Sequence, residues 1–392
     1  MKILSVNAGS SSLKFQMYEM PEEKVLISGV FERIGIGNSF YTIKLNGEKI
    51  KKERELSNHE EAVKILTDEL LENKVVSSLN EIEAIGHRMV HGGDKYQKST
   101  IINDEVIRDS EALIELAPIH IPANLTGVRA FQKIIKDATP VAVFDTSFHQ
   151  TLPKEAYIYP VPYEWYEKYG VRKYGFHGTS HKYVSMRMNE ILGRDDTKII
   201  TCHIGSGGSV SAVLNGKSID TSLGFTPNSG IMMGTRSGDI DSSIIPFIVK
   251  EAGLSLSEVD NILNKKSGLL GVSKKYSDSR DIENGIKNGD ELCILAQEIY
   301  VRKIVEYIAK YYVLLGGCDA IVMTAGVGEN SINTRKQIIE KLSVLGIELD
   351  EERNNIRGEE AKITKDSSKV PVWVIPTDEE LMIARDTYNL TK

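Results

Sequence analysis

The sequence predicts a duplicated α/β protein, and three observations predict it. Residues 3–14, ILSVNAGSSSLK, align with residues 199–210, IITCHIGSGGSV; from 3 to 199 is an offset of 196, which puts Ile3 on Ile199, Gly9 on Gly205 and Ser10 on Ser206. Two further pairs follow in the same order: EAIGHRMVHGG (83–93) with DAIVMTAGVGENS (319–331), and PVAVFDTSF (140–148) with PVWVIPTDE (371–379). Between the strand-like segments lie helical patterns. In residues 290–315 the spacing of Leu292, Leu295, Ile299, Ile304, Ile308 and Tyr312 predicts a helix, which Gly316-Gly317 stops.

Each half opens with an apolar strand, a small-residue turn and a second strand, Leu13–Tyr18 in one half and Ser209–Leu214 in the other. Asn46-Gly47 and Asn215-Gly216 are hairpin signals, so a β-meander is expected at each start, with strand–helix alternation after it. The expected division is an N-terminal domain of residues 1–149 plus 384–392 and a C-terminal domain of residues 150–383. Two such units are expected to face each other across an interdomain cleft, a usual place for a ligand.

Composition narrows the function. The 392 residues carry 48 Lys+Arg against 55 Asp+Glu, a formal charge of −7, so phosphate chemistry needs local cations rather than a basic face. Neither nucleic acid nor an anionic membrane is an expected partner. The apolar region 301–327 is interrupted by Lys303, Glu306, Lys310 and Asp319 and is too broken to span a bilayer. The apolar start of MKILSVNAGSSSLK stops within a few residues, which predicts no signal peptide. Cys202, Cys293 and Cys318 are odd in number and scattered, so a reducing, cytoplasmic setting is expected.

Small-residue turns after strands expose backbone N–H groups to a phosphate. Ser10, Ser11, Ser12 and Lys14 form one such turn; Gly205, Ser206, Gly207 and Gly208 form the other. Neither familiar nucleotide motif is present: Ser211 stands where a Walker A loop before N-G-K-S (215–218) needs glycine, and Ser331 where Gly326-x-Gly328 needs its third. His87/His91 and His177/His181 have i,i+4 spacing, but neither pair resembles the H-E-x-x-H zinc helix, so hydrogen-bonding or structural roles are expected. The segment GFTPNSGIMMGTRSGDID (224–241) reads as an ordered loop, because Ile231-Met232-Met233 is apolar, and Arg236 within it suits a clamp on a transferring phosphoryl group.

VNAGSSSLKF, GHRMVHGG, FDTSFH, YGFHGTSH, GFTPNSGIMMGTRSGDID, AGVGENS and PTDEE, in this order, resemble the acetate kinase family from Lys2 to about Arg385. The resemblance implies a duplicated actin-like (ribonuclease H-like) fold and reversible transfer of the ATP γ-phosphoryl group to acetate, with acetyl phosphate and ADP as products. It implies catalytic roles for Asp145, His177 and Arg236, and substrate binding by Arg88, Val90, Ile119 and Pro227. Lys14, His203, Ile204, Gly205, Ser206, Gly207, Asp278, Ser279, Arg280, Gly326, Val327, Gly328, Glu329 and Asn330 are implied to hold the nucleotide. Asn7 and Glu379 are implied to hold Mg2+, or Mn2+, and the chain to be a homodimer. The sequence departs from the family pattern at Ile121, Ser206 and Gly208, where asparagine, asparagine and alanine are usual. Propionate or butyrate phosphorylation is the neighbouring alternative. A non-catalytic nucleotide sensor would have no reason to keep Arg88, Asp145 and Arg236 together.

Overall fold

The computed structural model describes residues 1–392. Its strands are β1 (Lys2–Ala8), β2 (Ser12–Glu19), β3 (Lys24–Glu32), β4 (Phe40–Leu45), β5 (Glu48–Glu53), β6 (Ile82–Met89), β7 (Thr100–Ile101) and β8 (Thr139–Phe144) in one sheet. The second sheet holds β9 (Lys198–Ile204), β10 (Gly208–Leu214), β11 (Lys217–Thr221), β12 (Ala320–Thr324), β13 (Ala361–Lys362) and β14 (Val372–Val374). The sheet orders are β5-β4-β3-β2-β1-β6-β8-β7 and β11-β10-β9-β12-β14-β13.

The duplication is a duplication of topology. In the first sheet β1 pairs antiparallel with β2 and β2 with β3, while β6 joins β1 in parallel and β8 joins β6 in parallel. In the second, β9, β10 and β11 form the same antiparallel meander, and β12 and β14 add in parallel. This is the duplicated actin-like arrangement, and each repeated sequence segment lies on the corresponding strand. β9 and β12 are almost entirely buried, as a parallel strand covered on both faces must be.

The chain divides into two compact units, Met1–Phe148 with Asp378–Lys392, and His149–Thr377. Residues 378–383 thus fall in the first unit rather than in the C-terminal domain of the sequence expectation. The cause is that Glu379–Thr391 is one helix and packs as a whole on β1 and β6. Gly86 on β6 permits this: a Cβ there would lie 2.3 Å from Thr387 Oγ1 and 2.5 Å from Ile383 Cγ2 of that helix. Ser5 Oγ ties β1 to its start, donating to the Glu380 carbonyl at 2.7 Å.

The helix Glu291–Leu314 forms as expected, capped by Asp290, and of the six spaced residues it fully buries Ile304 and Ile308. Cys293, Ala296, Tyr300, Ile304, Ile308 and Tyr311 are buried, whereas Leu295 is 44% exposed. Glu298, Arg302, Glu306 and Lys310, at helical spacing, lie exposed along the opposite side. No helix is long and apolar enough to cross a membrane.

Buried histidines make the fold acid-sensitive. Burial pushes His87 down to about 3 and His91 to about 4, and His149 to about 4 despite its bond to the Phe176 carbonyl; it holds His181 well below the usual range. Each is depressed below its unfolded value near 6.5, so the unfolded chain binds the extra protons and stability falls as pH drops below about 6.5. The loss approaches ~1.4 kcal/mol per pH unit for each histidine. Urea unfolding midpoints should drop steeply between pH 6.5 and 5, where most carboxylates are still ionised, and the slope should flatten by about one proton in His87→Leu. A midpoint independent of pH over this range would contradict the assignment of these rings as neutral.

Candidate active site

In the first unit, a polar cluster gathers at the ends of β1, β6 and β8. Asp145 follows β8 and is 1% exposed; its backbone N–H donates to the Met89 carbonyl at 2.9 Å. Arg88 of β6 grips it with two bonds, Nε to Oδ1 at 3.1 Å and Nη2 to Oδ2 at 2.5 Å. Arg88 Nη1 donates to Asn7 Oδ1 of β1 at 3.2 Å. Asp145 therefore aims Arg88 and does not cap the short helix that begins at Ser147. Burial works against the Arg88 charge, but the Asp145 and Glu379 carboxylates hold its pKa above the ordinary value. Arg88 is locked as a cation.

Glu379 opens the helix Glu379–Thr391. Burial pushes its carboxyl up to about 7; Arg88 and Lys14 pull it down, while Asp145 and Glu380 push it further up. Lys14 of β2 lies 2.6 Å from Glu380 Oε1. The cluster is thus short of positive charge at Glu379, and its free donors are oxygens. That chemistry fits a hard divalent cation. No group of three or more His, Cys, Asp or Glu side chains is placed to hold a metal ion. Val90 is buried just past β6, its N–H donating to Asn124 Oδ1 at 3.0 Å, whereas Ile119 is 53% exposed at the start of the helix His120–Ile134. Ile121 is 1% exposed and belongs to the core.

In the second unit, the β9–β10 turn is the centre. Gly205 N–H donates to the Gly207 carbonyl at 3.0 Å, closing the turn, and Ser206 is exposed at its tip. A Cβ on Gly207 would lie 3.4 Å from Arg236 Nη1 and 3.6 Å from His177 Nε2, so both side chains stand directly against the turn. Arg236 Nη1 donates to the Pro227 carbonyl at 3.0 Å and lies 3.8 Å from Met233 Sδ; no carboxylate pairs with it. Burial lowers its pKa. A half-buried guanidinium with no anion beside it is a receptor for one. The loop around it is ordered as expected, with Ile231, Met232 and Met233 buried and Gly234 N–H bonded to the Ser206 carbonyl at 3.0 Å.

His177 has the left-handed backbone (φ +56°) at the start of the helix Gly178–Leu192 and stacks on His203 with centroids 4.2 Å apart. Beside the turn lies a pocket of about 320 Å³ lined by Gly205, Ser206, Asp278, Ser279, Arg280, Gly326, Val327 and Asn330, with Leu269 and Tyr300 as apolar wall. Residues 326–330, which the resemblance implies hold the nucleotide, lie in a helical turn, Ala325–Asn330, that follows β12 directly with Ala325 at φ +64°. His203, Ile204, Gly207, Gly328 and Glu329 do not line this pocket. Glu329 Oε1 accepts from the backbone N–H groups of Ala325 at 2.8 Å and Thr377 at 3.0 Å, so it shapes the turn from within.

The sequence reading missed Arg335. It is 1% exposed and donates to the carbonyls of Gly328, Glu329, Asn354 and Ile356 and to Asn354 Oδ1. Burial and the nearby Arg357 charge lower it to about 10. It pins the pocket's helical turn to the 354–357 segment.

The acetokinase family model matches residues 2–385. An acetate kinase of Bacillus velezensis is 52% identical, with both chains fully covered. The crystal structure of Porphyromonas gingivalis acetate kinase superposes with a TM-score of 0.94 at 47% identity, covering all of both chains. A propionate kinase from Francisella tularensis superposes equally well, at 0.94 and 43% identity over 99% of each chain.

Gly208 is explained by its neighbour: a Cβ there would lie 2.7 Å from Ile231 Cδ1. Gly208→Ala should therefore destabilise the protein by ~1–3 kcal/mol through overpacking. Ile231→Val, which removes that methyl, should recover most of the loss in the double variant. Additive losses, read from denaturant midpoints, would exclude the contact as the cause.

Proposed function

The chain belongs to the acetokinase family, and from that premise we propose that it moves the γ-phosphoryl group of ATP directly to the carboxylate of acetate, reversibly, giving acetyl phosphate and ADP. The observation that carries this reading is Arg236: a guanidinium without a carboxylate partner, beside a glycine turn that also borders a nucleotide-sized pocket.

Acetate, with a pKa near ~4–5 by analogy with side-chain acids, is ionised at neutral pH. No base is needed. One carboxylate oxygen bonds to the γ-phosphorus as the bond from phosphorus to the β–γ bridging oxygen breaks, and that electron pair leaves with ADP. The protein's work is alignment and charge neutralisation. Arg88, aimed by Asp145, binds the acceptor carboxylate; Arg236 binds the phosphoryl oxygens in flight; His177 donates an N–H to them. Lys14 serves the donor phosphates, Asp278, Ser279 and Arg280 the nucleoside, and the backbone of Gly205, Ser206, Gly326, Val327 and Asn330 the phosphate chain. Asn7 and Glu379 would hold Mg2+ or Mn2+, which when bound neutralises phosphate charge. Val90, Ile119 and Pro227 form the niche for the methyl group.

We further propose a cytoplasmic homodimer. Three cysteines without disulfides suit that compartment. The helix Ile244–Ala252 has no buried residue although Ile244 and Phe247 are 44% and 61% exposed, and the neighbouring Leu256 is 67% exposed. Such a face fits a second copy of the chain.

Hydroxylamine trapping of acyl phosphate with ATP and Mg2+ tests the reaction. Arg236→Ala should lower kcat by ~10²–10⁵ while changing ATP affinity far less; near-normal turnover in the folded variant would remove Arg236 from the chemistry. Acetate should exceed butyrate in kcat/KM by about tenfold or more, since one methylene in a closed niche is worth ~1–3 kcal/mol. A higher value with butyrate would reassign the acyl chain but leave the reaction class standing.

A further inference from the structure

Behind His177 lies a chain of buried hydroxyl and imidazole groups that the mechanism above does not use. Ser209 of β10 is 0% exposed, and its Oγ lies 2.9 Å from His177 Nδ1 and 2.7 Å from His181 Nε2. His181 is also 0% exposed; its Nδ1 lies 2.7 Å from Thr201 Oγ1 of β9. The order is Thr201, His181, Ser209, His177.

Proton counting fixes the direction of this chain. A hydroxyl has one proton, so Ser209 can donate to only one of its two imidazoles and must accept from the other. Burial, reinforced by the nearby His149 and His203 rings, keeps His181 neutral, so it too carries a single ring proton. Two arrangements remain. In one, Thr201 donates to His181 Nδ1, His181 Nε2–H donates to Ser209, and Ser209 donates to His177 Nδ1. In the other, every arrow is reversed, and the Thr201 hydroxyl proton is left without an acceptor, because Thr201 Oγ1 has no second partner and its residue is fully buried. Buried donors are rarely left unpaired. The first arrangement satisfies every group.

We propose that Ser209 is a positioning residue: with His181 and Thr201 it holds His177 in the Nε2-protonated tautomer, so that the nitrogen beside the Gly207 turn is a donor before substrate arrives. The reverse tautomer would present a lone pair to a phosphoryl oxygen, repelling the group it is meant to receive. This inference rests on the proposed role of His177, while its structural part stands apart from that role.

The experiment uses the full chain with ¹⁵N-labelled histidine rings, the His177 signals being identified by their loss in His177→Asn. At pH 8 the wild-type ring should be protonated on Nε2 alone, and Ser209→Ala should turn it into a tautomer mixture. In kinetics, Ser209→Ala should lower kcat about 10–100-fold, with KM for ATP and acetate within about twofold. Ser209→Thr, which keeps the hydroxyl, should recover most of the rate. A merely structural role would move stability and both KM values but not the ring tautomer. Nδ1 protonation in the wild type, or an unchanged tautomer and rate in Ser209→Ala, would overturn the proposal. Near-normal turnover in His177→Asn would instead overturn the catalytic reading of His177, whatever the tautomer.

Discussion

An arginine kept without a counter-ion is the constraint around which the second unit is built. A carboxylate beside Arg236 would neutralise it and abolish its use as an anion receptor, yet half-burying it unpaired is costly. The sequence meets this with one backbone carbonyl, that of Pro227, and with a loop that cannot relax toward solvent. Ile231, Met232 and Met233 anchor the loop in the core. Gly238, at φ +71°, lets the chain pass so close to Gly230 and Ile231 that a Cβ would lie 2.6 Å from both carbonyls. The glycines in GIMMGTRSGD are there to hold one guanidinium still.

The first unit solves the opposite problem. There the surplus is negative: Asp145, Glu379 and Glu380 share Arg88 and Lys14, and the imbalance falls on Glu379, whose carboxyl titrates near neutrality. A bound cation would remove that imbalance and return Glu379 to an ordinary carboxylate. The bidentate Arg88–Asp145 pair meanwhile keeps Arg88 from collapsing onto Glu379. Asp145 thus acts by aiming a cation, a role an asparagine could mimic in shape but not in charge.

Most of the fold was legible in the sequence because a duplicated strand–turn–strand leaves a residue-by-residue trace: β1 and β9 run over 2–8 and 198–204, the same offset that aligns Ile3 with Ile199. Arg236 stood out in the sequence as a cation in an ordered glycine-rich loop, whereas Arg88, Asp145 and His177 entered only through the family resemblance. What stayed hidden was set by tertiary packing. In Glu291–Leu314 the charged stripe Glu298, Arg302, Glu306 and Lys310 marks the exposed side, but the apolar spacing did not single out Cys293, Ala296 and Tyr300 as buried. Arg335 looked like any helical arginine, because its partners are backbone carbonyls, which no side-chain pattern announces. Glu329 sits in a glycine-rich motif, and nothing in that pattern announces that its carboxylate accepts from the backbone N–H groups of Ala325 and Thr377. One signal was available and unused: Ser209 and Ser211 alternate with Val210 and Ala212 in a strand buried on both faces, and polar groups there must have partners.

The two copies of the turn show how one backbone device came to hold two kinds of site. Each is closed by the N–H of its first glycine, Gly9 to the Ser12 carbonyl at 2.9 Å and Gly205 to the Gly207 carbonyl at 3.0 Å. In the first copy the turn kept its side chains, Ser10, Ser11 and Ser12, and is braced from behind by His59 Nε2 on the Gly9 carbonyl at 2.7 Å. In the second, glycines stand at 207 and 208: a Cβ at Gly208 would lie 2.7 Å from Ile231 Cδ1, too close to fit, whereas one at Gly207 would make ordinary contact with Arg236 and His177. Ser206 alone among residues 205–208 carries a side chain; it is exposed at the tip and lines the pocket beside the turn.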